Sequence, residues 1–182
     1  MNQPALLTER LTLAAPNAND IDQMFILCQD ETVQEMVLPI GRNYTRDKAD
    51  VFITTIIPKI WSSGAGAEFA IKLSNDPNAT MIGMVGVSFP SGEVGLWLGP
   101  EHRGQGIGEE ALRSLLDWAA SENRTPDGFR WTVLPHNLPS IRLAEKFGFG
   151  YSHDNHMTGH DGESVRLLCG SLSSTASWPV NL

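Results

Sequence analysis

Cysteine is scarce in this sequence, and long apolar runs are absent from it. Cys28 and Cys169 are the two cysteines among 182 residues, a usage that fits reduced thiols rather than a disulfide framework. No apolar run approaches the ~20 residues that are needed to cross a bilayer. Residues 1–13 lack the basic segment and apolar core of a secretory signal. These absences predict a cytoplasmic protein with no membrane partner.

Basic residues are also few. Lysine and arginine total 13 against 21 aspartates and glutamates, which gives a net charge of −8 at pH 7. Nonspecific nucleic-acid binding draws most of its strength from neutralised phosphates, so no nucleic-acid partner is expected. A negative field would instead steer a cationic amine toward the protein, although an acidic balance is common in soluble proteins whatever they bind.

No repeat, linker or low-complexity segment divides the chain. Its length suits one domain with a full core, and we predict that domain over residues 1–170. Residues 171–182 are rich in serine and are expected to form a poorly ordered C-terminal tail. A monomer and a homodimer are both compatible with the sequence.

Hydrophobic periodicity predicts two leading helices and a series of strands. A first strand is expected over Thr8–Ala14, and a first helix begins with Asn17 or Asn19 as its N-cap. The second helix should kink near Thr54–Ile57 or stop early, because Pro58 removes one helical hydrogen bond. The later strands are predicted at Glu68–Leu73, Met81–Phe89, Glu93–Leu98, Phe129–Leu134, Phe149–His156 and Ser164–Cys169.

The chain is organised around residues 93–120, which predict a strand, a glycine-rich turn and a helix. Gly99 and Pro100 end the strand. The helix has one apolar face at helical spacing. Its residues are Ile107, Ala111, Leu112, Leu115, Leu116 and Ala119. Gly104, Gly106 and Gly108 alternate at the point where this helix must begin.

Glycines at a helix start leave backbone N–H groups open to a phosphate. The positive end of the helix dipole favours an anion there, and Arg103 would add a charge-assisted contact. Two common phosphate loops do not fit. No lysine follows the glycines as a P-loop requires, and the dinucleotide fingerprint would place its last glycine at Glu109. The pattern that is present is R-x-x-G-x-G, with Arg103, Gly106 and Gly108.

A second motif follows this turn. Residues Asn137–Arg142 read N-x-x-S-x-R, and Glu145–Phe149 read E-K-x-G-F. Together the two motifs resemble those of the GNAT superfamily of acyl-CoA-dependent N-acyltransferases, in its RimJ/RimL-like branch. The resemblance implies an α+β fold of the three-layer α/β type. Its central sheet would be mixed and mostly antiparallel, with splayed parallel strands 4 and 5 and flanking helices.

The resemblance also implies an activity. The enzyme would move an acetyl group from acetyl-CoA, its co-substrate, to a primary amine by direct attack in a ternary complex. The amine would belong to a small molecule or be a protein N-terminal or lysyl amine. Two alternatives stay open, a noncatalytic acyl-CoA-binding module and the same fold with a longer acyl group such as succinyl. No metal is expected: His153, His156 and His160 lie close in sequence, but no familiar ligand set is complete.

Residues for coenzyme binding are assigned by the same resemblance. The pyrophosphate loop comprises Arg103, Gly104, Gln105, Gly106, Ile107 and Gly108. Asn137 would cap a helix and contact the pantetheine, with Ser140 and Arg142 on the same helix. A backbone N–H of Trp97 or Leu98 would meet the thioester oxygen.

Two residues are candidates for catalysis. Glu93 stands where family members often carry the glutamate that activates the amine. Ser140 stands where RimL-like enzymes carry a serine near the sulfur, and Ala144 replaces the tyrosine that many relatives use. His156 competes with Glu93 as the base, because the unperturbed pKa of histidine lies near neutrality. Glu93 is equally explained as an edge carboxylate, and Ser140 as a helix residue without a chemical role.

The leading helices of this family cover the acceptor side of the site. Glu35, Tyr44 and Trp61 are therefore expected to contact the substrate, together with His156 from the last hairpin. Each of these four side chains is also explained as an ordinary surface or packing residue.

Overall fold

The computed structural model describes residues 3–38, 40–74, 79–125, 127–158 and 162–175. Within these ranges the chain forms eight strands and six α-helices. The strands are β1 (Leu6–Leu7), β2 (Leu11–Ala14), β3 (Gly66–Leu73), β4 (Gly83–Ser88), β5 (Val94–Leu98), β6 (Phe129–Val133), β7 (Gly150–Thr158) and β8 (Ser164–Leu172). The helices are α1 (Ile21–Leu27), α2 (Glu31–Met36), α3 (Arg46–Val51), α4 (Ile57–Ser63), α5 (Ile107–Ser121) and α6 (Leu138–Lys146).

The strands form two antiparallel groups. β1 to β5 pair in chain order, and β8 lies between β6 and β7 in the second group. Among the described residues, one parallel bridge joins the groups, between Glu93 and Arg130. The predicted α+β fold with a mostly antiparallel sheet and flanking helices is confirmed. The splayed parallel pair is β5 and β6, which are numbered one higher than predicted because β1 precedes the first predicted strand.

That first strand, predicted over Thr8–Ala14, is broken by a tight turn. Thr8 N–H donates to Leu11 O at 2.9 Å. Thr8 Oγ1 and Arg10 Nε bond the Glu110 carboxylate on α5, at 2.5 and 2.6 Å respectively. The turn leaves the sheet because its polar side chains pair with a helix rather than with the next strand.

A kink or an early stop was predicted for the helix that contains Pro58, and the helix is distorted but does not stop early. α3 runs into a π-helical segment, Phe52–Ile56, which continues directly into α4. In this segment the Ile57 N–H bonds Phe52 O, five residues earlier. The distortion overlaps the predicted Thr54–Ile57 stretch and begins two residues before it, and a π turn accommodates the hydrogen bond that proline cannot make.

A short helix, α2, was not predicted. Asp30 is its N-cap and accepts a hydrogen bond from Val33 N–H at 3.0 Å. Val33 is also the one buried residue of this helix. A helix that buries a single side chain leaves no apolar stripe in the sequence, so the N-cap residue is its only sequence signal.

Helices cover both faces of the sheet. On one face lies α5, and all six of its predicted apolar residues are buried. A Cβ on Gly108 would stand 3.4 Å from Leu96 and 3.6 Å from Leu98, so the start of α5 packs against that face of β5. Lys72 belongs to the other face of the sheet by strand alternation. It pairs with Asp20 at 2.6 Å, which places the segment before α1 there.

The C-terminal end of the described chain belongs to the sheet. β8 runs to Leu172 and pairs with β6 through it, so residues 171 and 172 are strand rather than tail. The remainder of the predicted tail, from residue 176 onward, lies outside the described residues. None of the helices in the described ranges is long and apolar enough to span a membrane.

Candidate active site

A cleft opens between β5 and β6 because the two strands meet only where they begin. Arg130 N–H donates to Gly92 O at 2.8 Å, and in the described ranges the Glu93–Arg130 bridge is the only pairing between these strands. Beyond it, β5 pairs with β4 alone. The other edge of β5 therefore presents backbone N–H and C=O groups to the cleft.

The register of β5 decides which residues present those groups. Glu93 O accepts a hydrogen bond from Ser88 N–H at 2.8 Å, so Glu93 directs its backbone toward β4. Orientation alternates along an antiparallel pair, and Trp97 therefore also faces β4. Leu96 and Leu98 face the cleft. Of the two N–H donors predicted from sequence, the register retains Leu98 and excludes Trp97.

Arg103 holds the end of β5 rather than reaching freely into solvent. Its Nε donates to Leu98 O at 2.9 Å, and its Nη2 lies 2.6 Å from the Asp30 carboxylate. Desolvation alone would raise the pKa of Asp30, but hydrogen bonds from Arg103 and from Val33 N–H outweigh it and lower that pKa. Arg103 thus ties β5 to the cap of α2, and its contact with a phosphate stays a prediction.

The glycine turn after Arg103 has an open backbone. Gly104 and Gly106 adopt φ values of +71° and +76°, in the left-handed region that glycine favours. No heavy atom lies within 4 Å of a Cβ built on Gly104. Gly106 is the N-cap of α5, so the first N–H groups of the helix, on Ile107 and Gly108, have no partner inside it.

Arg10, which lies in the turn between β1 and β2, binds this glycine turn. Its Nη1 donates to Gln105 O at 3.0 Å, and its Nε bonds Glu110 at 2.6 Å. Desolvation acts to raise the pKa of Glu110, but hydrogen bonds from Thr8 and Arg10 prevail and lower it. The Glu110 carboxylate is therefore neutralised locally, although it stands in the first turn of a helix predicted to bind phosphate.

The other acidic residue of that turn is paired as well. Glu109 bonds Lys146 at 2.5 Å and Arg113 at 3.5 Å. Arg142, on α6, was predicted to contact the coenzyme. Lys146 is committed to Glu109, whereas Arg142 is exposed and has no ion-pair partner among the described residues.

The start of α6 is held by two side-chain contacts. Asn137 caps the helix as predicted, and its Oδ1 accepts from Ser140 N–H at 3.3 Å. The indole Nε1 of Trp131, in β6, donates to Ser140 Oγ at 3.0 Å. An indole nitrogen can only donate, so the serine oxygen is the acceptor and its own hydrogen stays available to another group.

Two of the predicted substrate contacts lie in the core, and this corrects both. Trp61 is 1% exposed, packs edge-on against Phe69 at 5.2 Å between ring centroids, and its Nε1 donates to a backbone carbonyl. Tyr44 is 9% exposed and its hydroxyl bonds Met24 Sδ at 3.7 Å. Neither side chain faces a surface that an acceptor amine can reach.

The other two lie at the surface. Glu35, on α2, is 3.5 Å from His136 Nε2, and His136 directly precedes the cap of α6. Glu35 therefore bridges the leading helices and the coenzyme-side motif. His156 lies on β7, and its Nδ1 is 3.2 Å from Ser164 Oγ on the paired strand.

The sequence was compared with known families and solved structures. Residues 10–150 match the family model described as Acetyltransferase (GNAT) domain. This chain belongs to the GNAT acetyltransferase family. Within the described residues, no group of three or more His, Cys, Asp or Glu is placed to hold a metal ion.

Similar structures include acetyltransferases with and without bound coenzyme. The ribosomal L7/L12 α-N-protein acetyltransferase RimL in complex with CoA has a TM-score of 0.79 at 14% identity, covering 93% of this chain and 98% of that one. An acetyltransferase from Salmonella typhimurium that modifies the N-terminal serine of L7/L12 has a TM-score of 0.77 at 16% identity, covering 93% and 99%. The microcin C7 self-immunity acetyltransferase MccE, bound to acetyl-CoA and AMP, has a TM-score of 0.75 at 16% identity, covering 91% and 93%.

Sequence reasoning missed two residues of this GNAT acetyltransferase. Trp131 was assigned only to a strand, although a buried indole needs an acceptor and Ser140 lies nine residues on. Glu68 was likewise assigned only to β3. Desolvation raises the pKa of Glu68 to about 7, and no sequence pattern predicts this shift. Ala144, by contrast, is 0% exposed, which leaves no room there for the tyrosine of other family members.

Proposed function

We propose that this GNAT enzyme transfers an acetyl group from acetyl-CoA to a primary amine by direct attack in a ternary complex. The observation that most supports this proposal is the convergence of three features on one cleft. The unpaired edge of β5, the open glycine turn and the capped start of α6 all border it. We place this enzyme in the cytoplasm, as a monomer or homodimer.

The coenzyme side is proposed from backbone and cap geometry. N–H groups from Gly104 to Gly108 would bind the pyrophosphate at the positive end of α5. The pantetheine arm would lie along the open edge of β5, where Leu96 and Leu98 offer backbone groups. Leu98 N–H would donate to the thioester oxygen and stabilise the negative charge that develops there. Asn137 would contact the arm with its amide nitrogen, since its oxygen caps α6, and Arg142 would meet the phosphates of the nucleotide end.

The chemical step needs a base for the amine and a proton for the sulfur. The ammonium loses a proton to a carboxylate on the acceptor face, for which Glu93 is the candidate from sequence. The amine nitrogen then bonds the acyl carbon, and the carbon–sulfur bond breaks. The second amine proton reaches the thiolate, with Ser140 as donor or relay, because its hydrogen is not used by Trp131.

The acceptor is proposed to be a cationic primary amine. The net charge of −8 favours its approach, and Glu35 and Glu93 add carboxylates near the two ends of the cleft. RimL, as its description states, acts on a protein N-terminus, so N-terminal amines are the first class to test. Lysyl amines and small-molecule amines are the next classes.

A thiol-release assay with acetyl-CoA tests this function. N-terminal peptides, lysyl peptides, polyamines and aminoglycosides would serve as acceptors, with succinyl-CoA as the alternative donor. Cys28 and Cys169 are both buried, and burial raises the pKa of Cys28 to about 12, so the protein contributes little thiol background. Acceptor-dependent CoA release is expected. Tight acetyl-CoA binding in calorimetry without turnover on any amine would instead support a noncatalytic module.

A further inference from the structure

A glutamate and two glycines form one row across the middle of the sheet. Glu68 in β3 pairs with Gly86 in β4, and Gly86 pairs with Gly95 in β5. A Cβ on Gly86 would stand 2.3 Å from Glu68 Oε2 and 2.7 Å from Oε1. The carboxylate therefore lies directly over the Gly86 backbone, extended from β3 toward β5. Only glycine at position 86 permits this arrangement.

The next position in the row is open. Gly95 is exposed, and no heavy atom lies within 4 Å of a Cβ built on it. By strand alternation this space is on the face of the sheet that carries Glu93 and Trp97, opposite to the face covered by α5. A molecule in this space would therefore reach the β5–β6 cleft from the side opposite the glycine turn.

The surroundings of Glu68 keep its carboxylate near half ionisation at neutral pH. The side chain is partly exposed, yet desolvation raises its pKa from 4.5 to about 7. The other ionisable side chains on this face of β3, β4 and β5 are Glu93 and Lys72, and Lys72 is paired with Asp20 at 2.6 Å. The α4 side chain Trp61 packs against Phe69 and Trp118 and donates to the Glu68 backbone carbonyl at 3.3 Å. In the part of the chain that the structure describes, no cation pairs with the Glu68 carboxylate.

We propose that Glu68 is the general base that takes the proton from the acceptor amine. This inference rests on the proposed function and names the base for it. The ammonium gives one proton to the Glu68 carboxylate, directly or through a water, and the neutral nitrogen attacks the thioester. The proton on Glu68 passes to solvent after the product leaves. The second amine proton goes to the departing thiolate, so the reaction releases one proton overall.

Position along β5 favours Glu68 over Glu93. Glu93 precedes Leu98 by five residues, about 17 Å of extended strand, whereas Gly95 precedes it by three, about 10 Å. The Glu68 carboxylate lies over Gly86, which pairs with Gly95, so it is level with Gly95 and two residues nearer than Glu93 to the N–H group proposed for the thioester oxygen. Glu93 remains at the point where β5 and β6 are still bridged.

The test compares Glu68→Gln with Glu122→Gln as its matched control and with Glu93→Gln as the rival base, using the best amine from the acceptor panel. Glu68→Gln should lower kcat about 100- to 1000-fold, as loss of a general base does, and should keep acetyl-CoA affinity within about twofold. In the wild type, kcat/KM for the amine should fall as the pH drops below about 7 (the acid limb). This limb should be absent in Glu68→Gln. Glu122 is exposed just after α5 and has no part in the proposed site, so Glu122→Gln should retain both the limb and the rate.

A second readout does not depend on turnover. A carboxyl group whose pKa is raised on folding binds more protons when folded, so wild-type stability should fall relative to Glu68→Gln as pH rises from 4.5 toward 8. Equal rates and pH profiles for Glu68→Gln and wild type would overturn the proposal, as would transfer of both effects to Glu93→Gln. If the wild type acetylates no amine, the proposed function fails and the base assignment fails with it. If the wild type is active, the variants test only the assignment of Glu68 as the base.

Discussion

Trp131 Nε1 donates a hydrogen bond to Ser140 Oγ at 3.0 Å, joining the strand on one side of the cleft to the first turn of α6. Trp131 is 3% exposed and its ring lies 5.8 Å from that of Phe149, so the indole is fixed by packing. The contact settles how the serine hydroxyl is oriented. Its oxygen accepts from the indole, so its hydrogen is available to another group.

Removing the Ser140 hydroxyl should therefore lower kcat more than removing the hydrogen bond from Trp131. Ser140→Ala should lower kcat about 10- to 1000-fold, the span of general-acid contributions, with acetyl-CoA affinity nearly unchanged. Trp131→Phe keeps the ring but not the donor, and should lower kcat less than Ser140→Ala. The double variant should match Ser140→Ala alone, because both act on one hydroxyl. Additive losses in steady-state kinetics would show that the two residues act separately.

The glycine turn can be tested with a pair of matched glycines. Gly104 and Gly162 have φ values of +71° and +81°, and neither has a heavy atom within 4 Å of its Cβ position. Glutamate at either position meets the same backbone strain, but only Gly104 belongs to the proposed pyrophosphate site. Gly104→Glu should abolish CoA binding in calorimetry, and Gly162→Glu should leave it intact. Equal affinities in two folded variants would remove phosphate binding from this turn.

The pair Arg103–Asp30 should make the fold sensitive to acid. The folded-state pKa of Asp30 lies below its usual 3.8, so its contribution to stability is complete above that pH. It is lost as the pH falls through and below 3.8, when the carboxyl group is protonated in the folded state. Arg103→Met should weaken this dependence, as measured by urea unfolding between pH 2.5 and 7. An unchanged acid limb in the variant would show that Val33 N–H alone holds the Asp30 charge.

The open space at Gly95 should govern access of the amine. Gly95→Val adds a β-branched side chain, which a strand tolerates, and places it in the space beside Glu68. The KM for the amine should rise about tenfold or more, while calorimetric acetyl-CoA affinity stays constant, since the coenzyme is proposed to use the other edge of β5. A rise in both constants would place the coenzyme, rather than the amine, on this face.

Local signals in the sequence were sufficient for much of the fold. The α5 stripe recurs at helical spacing, and all its members are buried, because periodicity reports directly which face of a helix avoids water. Asn137 was identified as a cap because capping is a contact within three residues. The R-x-x-G-x-G and N-x-x-S-x-R motifs pointed to the family that the comparisons confirmed, since each motif is contiguous in the chain.

What the sequence alone determined, then, was the family, the order of most elements and the glycine turn before α5. Tertiary structure decided the rest, because those outcomes depend on distances between residues far apart in the chain. Trp61 and Tyr44 proved to be core residues once the helices were packed. Arg103 pairs with a carboxylate 73 residues away. The Glu68 carboxylate lies over a glycine on the neighbouring strand, and desolvation at that place, which exists only in the folded sheet, sets its pKa.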